Sequence, residues 1–219
     1  MQVLVWDWTI RLFHWATVLI VALMWWTAEE GIMDWHKRLG LILLGLLAFR
    51  LVWAVIGPRT ARLSLKGLSP RALLAYLGDL RPGRHKASFG HNPIGTLSVL
   101  AMLLALCVQV GTGLFAVDVD GLESGPLASL VSFEAGRQAA EIHETSFNIL
   151  IALIALHLIA IVTYLVVFRD NLVRPMVTGR RNPSDFGEDA TAADNGAPWL
   201  RVAVAIVIAA ACVWGVLSV

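Results

Sequence analysis

Charge is scarce in this chain. Asp, Glu, Lys and Arg supply 15% of its 219 residues, against about a quarter in ordinary soluble domains, while 58% of the residues are hydrophobic. That balance excludes a conventional soluble domain, and a formal net charge of +1 gives no reason to expect a nucleic-acid partner. Cysteine is nearly absent as well. Cys107 and Cys212 fall in separate apolar runs and neither opens a Cys-x-x-Cys-His element, which excludes a covalently attached c-type cofactor and leaves both as small apolar residues. No internal repeat or low-complexity tract is present, and no small-residue cleavage pattern follows the first apolar run, which therefore reads as a retained span rather than a cleaved signal peptide.

What is abundant is long apolar sequence. Five runs, at about 8–28, 35–56, 94–117, 143–168 and 199–218, are long enough to cross a bilayer as helices. The polar stretch 178–197, TGRRNPSDFGEDATAADNGA, reads as a flexible linker to the last of them. The expected organisation is a four-helix domain over 1–177, a cytoplasmic linker over 178–197 and a fifth membrane helix over 198–219. The fold class is all-α.

Lysine and arginine in short loops mark the cytoplasmic side. The loop between the second and third spans holds Arg59, Arg62, Lys66, Arg71, Arg81, Arg84 and Lys86, and the loop after the fourth adds Arg169, Arg174, Arg180 and Arg181. The opposite side has Lys37, Arg38 and Arg137 against Glu29, Glu30, Asp34, Asp118, Asp120, Glu123, Glu134, Glu141 and Glu144. The amino terminus is accordingly expected in the cytoplasm and the carboxyl terminus in the periplasm, with the protein in the bacterial inner membrane.

Four of the six histidines fall on this topology at two depths. His143 and His157 lie fourteen residues apart on the fourth span, a rise of about 21 Å that returns the second ring to within about 40° of the first. His36 opens the second span at the level of His143, and His14 lies about 9 Å into the first, near the level of His157. The outer pair is His36 with His143 and the inner pair His14 with His157. Ionisable side chains inside a membrane are expensive and ordinarily face the bundle interior with a partner or a task. His91 and His85 fall in the basic loop. His91, beside Pro93, suits capping of the third span, or a quinone headgroup or proton-exchange site.

Two imidazoles on facing helices can fill both axial positions of a haem iron, which leaves no position for oxygen and suits electron transfer. Zinc would need Cys, Asp or Glu around each pair, and only Glu144, beside His143, could serve. A proton relay would not require two depth-matched pairs. Haem propionates in lipid need cations, and Arg50, fourteen residues after His36, and Arg11, one turn from His14, are the candidates. The alternative for both is snorkelling to the interface.

The segments DWTIRLFHW (7–15), WHKRLGLILLGLLAFRLVWAVIGP (35–58), GHNPIGTLS (90–98), QVGTGL (109–114), EIHE (141–144), HLIAI (157–161) and NLVRPMVTGRR (171–181) resemble the bacterial cytochrome b561 family, and within it the branch of the b-type cytochrome subunit of nickel–iron hydrogenases. The likeness runs from about residue 3 to 187. It implies a four-helix core with two b-type haems ligated by His14, His36, His143 and His157, and electron exchange between ubiquinone or menaquinone and a periplasmic cytochrome c or hydrogenase-like subunit, as in a respiratory chain. The chain departs from the hydrogenase subunits in offering a single histidine in EIHETSFN. A superoxide oxidase, with Lys37 and Arg38 attracting the anion beside His36, is the second reading that the resemblance implies. A haem-free anchor or ion-coupled transporter is the third, although no broken helices support transport.

Overall fold

The computed structural model describes residues 2–63, 68–80, 88–186 and 196–219. Lys66, Arg81, Arg84, His85 and Lys86 lie outside the described residues, as does the stretch 187–195 of the expected linker.

Helix α1 spans Trp8–Glu29. Asp7 starts it: its carboxylate accepts from the backbone N–H of Thr9 at 2.8 Å and of Ile10 at 3.2 Å, satisfying two of the donors that a helix start leaves open. A tight turn through Gly31, at φ +67°, reverses the chain into α2, Met33–Ile56. Helix α3, Pro70–Asp79, follows with Ser69 as its cap, and α4, Pro93–Phe115, starts on the Asn92 side chain, which accepts from Gly95 N at 2.7 Å. Helix α5 runs over Phe133–Val166, α6 over Val173–Thr178 and α7 over Trp199–Leu217. Five of these, α1, α2, α4, α5 and α7, are long and apolar enough to cross a membrane.

The packing is uneven, and the unevenness positions the site. Helix α2 is flanked by α1, α4 and α7, whereas α5 lies close along α4 alone and stands off from α1 and α2. One core cluster, with Ile20, Leu43, Leu47, Leu106 and Leu150, fills the middle of the bundle. A second, with Val5, Trp6, Trp53, Ala61, Val202 and Ala205, closes the arginine-rich end. Exposed Leu, Ile, Val and Trp side chains cover the outside, as a lipid solvent requires.

Three features differ from the sequence reading. Helix α5 begins at Phe133, not at His143. Its first ten residues are too polar to read as a span, but Ser132 caps them and the 117–125 loop clasps them: Val117 N donates to Gly136 O at 3.1 Å and Arg137 Nη1 donates to Val117 O at 2.9 Å. The basic loop carries a helix, α3, which its polar flanks concealed. The front of the expected flexible linker is ordered. Arg180–Arg181 form a strand, β2, antiparallel to β1, Val3–Leu4, and Phe186 is buried edge-on against Phe89 at 5.2 Å. Arg181 holds the segment through Asp170 and Asp185.

The fifth span is no loose appendage, because Val202 and Ala205 bury against the Trp53 region of α2. Ala205 is fully buried. Ala205→Leu is expected to overpack that contact and cost about 1–3 kcal/mol, lowering the thermal unfolding midpoint in detergent, whereas Ala203→Leu on the exposed face leaves it unchanged.

Candidate functional site

At the acidic end, His36 sits in the first turn of α2 and its Nδ1 lies 2.9 Å from the backbone carbonyl of Met24 on α1. Across the gap, Nδ1 of His143 on α5 lies 2.8 Å from the carbonyl of Gln109 on α4. A carbonyl oxygen can only accept, so each Nδ1 carries the hydrogen and each Nε2 keeps its lone pair. This is the arrangement by which an outer partner orients a metal-ligating histidine. The two rings stand 6.2 Å apart, centroid to centroid, with their planes at 76°. Metal–nitrogen bonds of about 2 Å on either side of one ion would place two imidazole centroids about 6 Å apart. The sequence pairing of His36 with His143 is thus also a spatial neighbourhood.

Gln109 completes this site, and the sequence reading gave it no role. It is buried in an otherwise apolar span; its side-chain Oε1 accepts from the Ser146 hydroxyl, and its amide nitrogen donates to His143 Nε2 at 2.9 Å. The lone pair offered to the amide is the one a metal ion would take. A buried amide in an apolar run was the available signal. Gly113 permits the approach of α5, since a β-carbon there would lie 2.8 Å from Cε1 and 3.0 Å from Nδ1 of His143.

At the arginine-rich end stand His14 on α1 and His157 on α5. His14 Nδ1 is buried without a hydrogen-bond partner, and so are Arg50 Nη1, Arg11 Nε and Thr17 Oγ1. Buried polar atoms left without partners are costly and call for an explanation. A polar-edged cofactor bound among them would supply one. Arg50 does not snorkel: it is buried on α2 and feels the charge of Asp7, which also accepts from Trp53 Nε1 at 3.3 Å. Arg11 turns part of its guanidinium to the Val177 carbonyl, 2.7 Å from Nη1.

His91 does not cap α4, a task taken by Asn92. Its ring packs on Trp6 with centroids 4.6 Å apart. Burial foremost, then the charges of Arg50 and His157, pushes it down to about 4. Of the two cations beside the acidic-end pair, Lys37 is tied to Glu123 at 2.8 Å and Arg38 lies over the Trp35 ring. Among the described residues no group of three or more His, Cys, Asp or Glu side chains gathers to hold a metal ion, so the donor set suits axial pairs and not a tetrahedral zinc site.

The sequence profile of the prokaryotic cytochrome b561 family matches residues 5–179. The chain belongs to that family. No curated protein and no solved structure matches it. As a prokaryotic cytochrome b561 it is a multi-pass membrane b-type cytochrome of electron transfer, and haem b binding is implied. The matched range contains His14, His36, His143 and His157 and stops before α7. The paired imidazoles and the unsatisfied polar atoms beside them fit such a cofactor.

Two outcomes follow from this geometry. Gly113→Ala is expected to lower haem content, measured by pyridine haemochrome, because the new methyl displaces His143; Gly111→Ala, which meets nothing within 4 Å, leaves it unchanged. Because His91 stays neutral in the fold, the unfolded chain binds a proton that the fold does not between pH 6.5 and about 4. Stability therefore falls on acidification through that window. A thermal midpoint followed against pH should drop less steeply for His91→Asn than for the parent.

Proposed function

We propose that this cytochrome relays single electrons across the membrane through two b-type haems, one held by His36 and His143 and the other by His14 and His157. The observation that carries the reading is the facing of His36 and His143 across a gap, with both Nδ1 hydrogens committed to main-chain carbonyls. A bound haem supplies a one-electron iron couple at each level.

The chain's own residues do the rest. Two imidazoles per level leave no open position for oxygen, so the site passes electrons and does not activate a substrate. The Met24 and Gln109 carbonyls fix ring orientation and make the imidazoles better donors. At the inner level, Arg50 Nη1 and Arg11 Nε are unsatisfied buried donors suited to carboxylates. The apolar core between the two levels lowers the polarity around the site and so contributes to its potentials.

The electron donor and acceptor in this reading are membrane ubiquinone or menaquinone and a periplasmic redox protein. The arginine-rich end is taken as cytoplasmic, by the bias of basic residues in short loops, and the acidic end as periplasmic. Three basic and nine acidic side chains there favour a basic partner such as a soluble cytochrome c over an acidic one. The superoxide oxidase alternative draws no support from Lys37, whose ammonium is already paired with Glu123, or from Arg38, which lies over Trp35.

His143→Ala or His36→Ala is expected to reduce the haem content from about two per chain to about one, with His14→Ala removing the other. Reduced-minus-oxidised spectra and redox titration of the purified protein read this directly. Loss of neither haem, or of both from every variant with the helical fold intact, overturns the pairing. Raising the salt concentration should slow electron exchange with a basic cytochrome, and a rate indifferent to salt removes the steering argument.

A further inference from the structure

Beyond the histidine levels, the arginine-rich end carries a second concavity. It lies where α5 leaves the bundle, between the 168–172 turn, α6 and β2, with a volume of about 380 Å³. Six of its lining residues are charged: Arg169, Arg174, Arg180, Arg181, Asp170 and Asp185. Both acids are committed to Arg181, Asp170 in close contact and Asp185 at 3.9 Å. Among the described residues no acidic side chain pairs with Arg169, Arg174 or Arg180. Among the described residues, three guanidinium groups therefore share one cavity whose two carboxylates are both taken up by Arg181.

Such an arrangement gives the cavity an excess of positive charge that favours an anion. Each guanidinium presents a planar fork of donors matched to the oxygens of a phosphate. Arg169 adds an independent sign. It is the single non-glycine residue in the left-handed region among those described, at φ 56°, a conformation that a β-carbon resists and that persists mostly where the surroundings require it. That turn is what sets Arg169 on the cavity wall.

The surroundings say which phosphate. On the last turns of α5, immediately before the cavity, Val162, Leu165, Val166 and Val167 are exposed aliphatic side chains. In a membrane they face acyl chains. A free phosphate would have no use for that surface, whereas a phospholipid lays its tails along it with the headgroup at the arginines. Basic pockets at helix ends on a membrane face favour anionic headgroups in this way.

We propose that this cavity binds the phosphodiester headgroup of an anionic phospholipid, with Arg169, Arg174 and Arg180 as its donors and the end of α5 as the seat of its acyl chains. The proposal depends on the membrane-spanning fold and not on haem ligation or on the direction of electron flow.

The test uses the full chain in nanodiscs of phosphatidylglycerol mixed with phosphatidylcholine, with native mass spectrometry to count retained lipids. Phosphatidylglycerol is expected to be retained over phosphatidylcholine by at least about tenfold. The variant R169Q/R174Q/R180Q loses that preference while its circular dichroism and elution volume stay unchanged. Arg59→Gln with Arg71→Gln, which removes charge from the same end outside the cavity, keeps it. Equal retention of the two lipids, undiminished preference in the triple variant, or an equal loss in the control variant overturns the proposal. Binding of inorganic phosphate to the parent, abolished in the triple variant and unaccompanied by any lipid preference, also overturns it, in favour of a free-phosphate site. Should the triple variant misfold, Arg174→Glu alone, on the exposed face of α6, must lower the preference for the proposal to stand.

Discussion

The stand-off between α5 and the α1–α2 pair is the constraint on which the rest depends. Helices in a bundle ordinarily close on one another, since every void forfeits contacts. Here α5 is drawn against α4 by glycine: Gly113 receives the His143 ring, and Gly136 receives Val117. On its other side it meets the helices that carry His14 and His36 more loosely, through side chains such as Leu150 in the shared core and His143 beside His36. At this interior stand the His36 and His143 rings, the latter with its Nε2 lone pair lent to the Gln109 amide, and buried donors without acceptors. Polar groups left so in an apolar medium are costly. A bundle with that interior is under pressure to be filled.

The two levels of this interior are held by different means. At the acidic end, main-chain carbonyls do the holding, through Met24 and Gln109, so ring orientation follows from the helices themselves. At the arginine-rich end the anchor is a side chain. Asp7 caps α1, accepts from the Trp53 indole of α2 and acts electrostatically on Arg50, and it is almost completely buried. One carboxylate thus joins the start of the first helix to the end of the second and balances the Arg50 charge between them. The two levels are therefore open to separate adjustment.

Much of this was legible in the sequence, and the reason is periodicity. Fourteen residues on a helix preserve direction, so the depths and facing of His143 and His157 could be read from spacing alone, and the pairing of His36 with His143 recurs as a 6.2 Å approach. What escaped was whatever depended on contacts between distant segments. The polar start of α5 is helical because the 117–125 loop clasps it. Residues 180–186 are ordered because Arg181 finds Asp170 and Asp185 and because Phe186 finds Phe89. Gln109 looked like a chance polar residue until Ser146 and His143 were seen around it. Arg11 and Arg50 stand out in the sequence as propionate candidates, but only the fold distinguishes the one that reaches a carbonyl from the one sealed beside Asp7.

The short ladder between Val3–Leu4 and Arg180–Arg181 has a consequence for assembly. Its two strands lie before the first span and after the fourth, so it cannot form until four spans have been synthesised. During that interval the first residues wait unpaired. Once residue 181 emerges, the ladder fastens the beginning of the protein to the end of α5 and the four spans are latched. The fifth span arrives afterwards and settles against α2, on the outside of a compartment already shut.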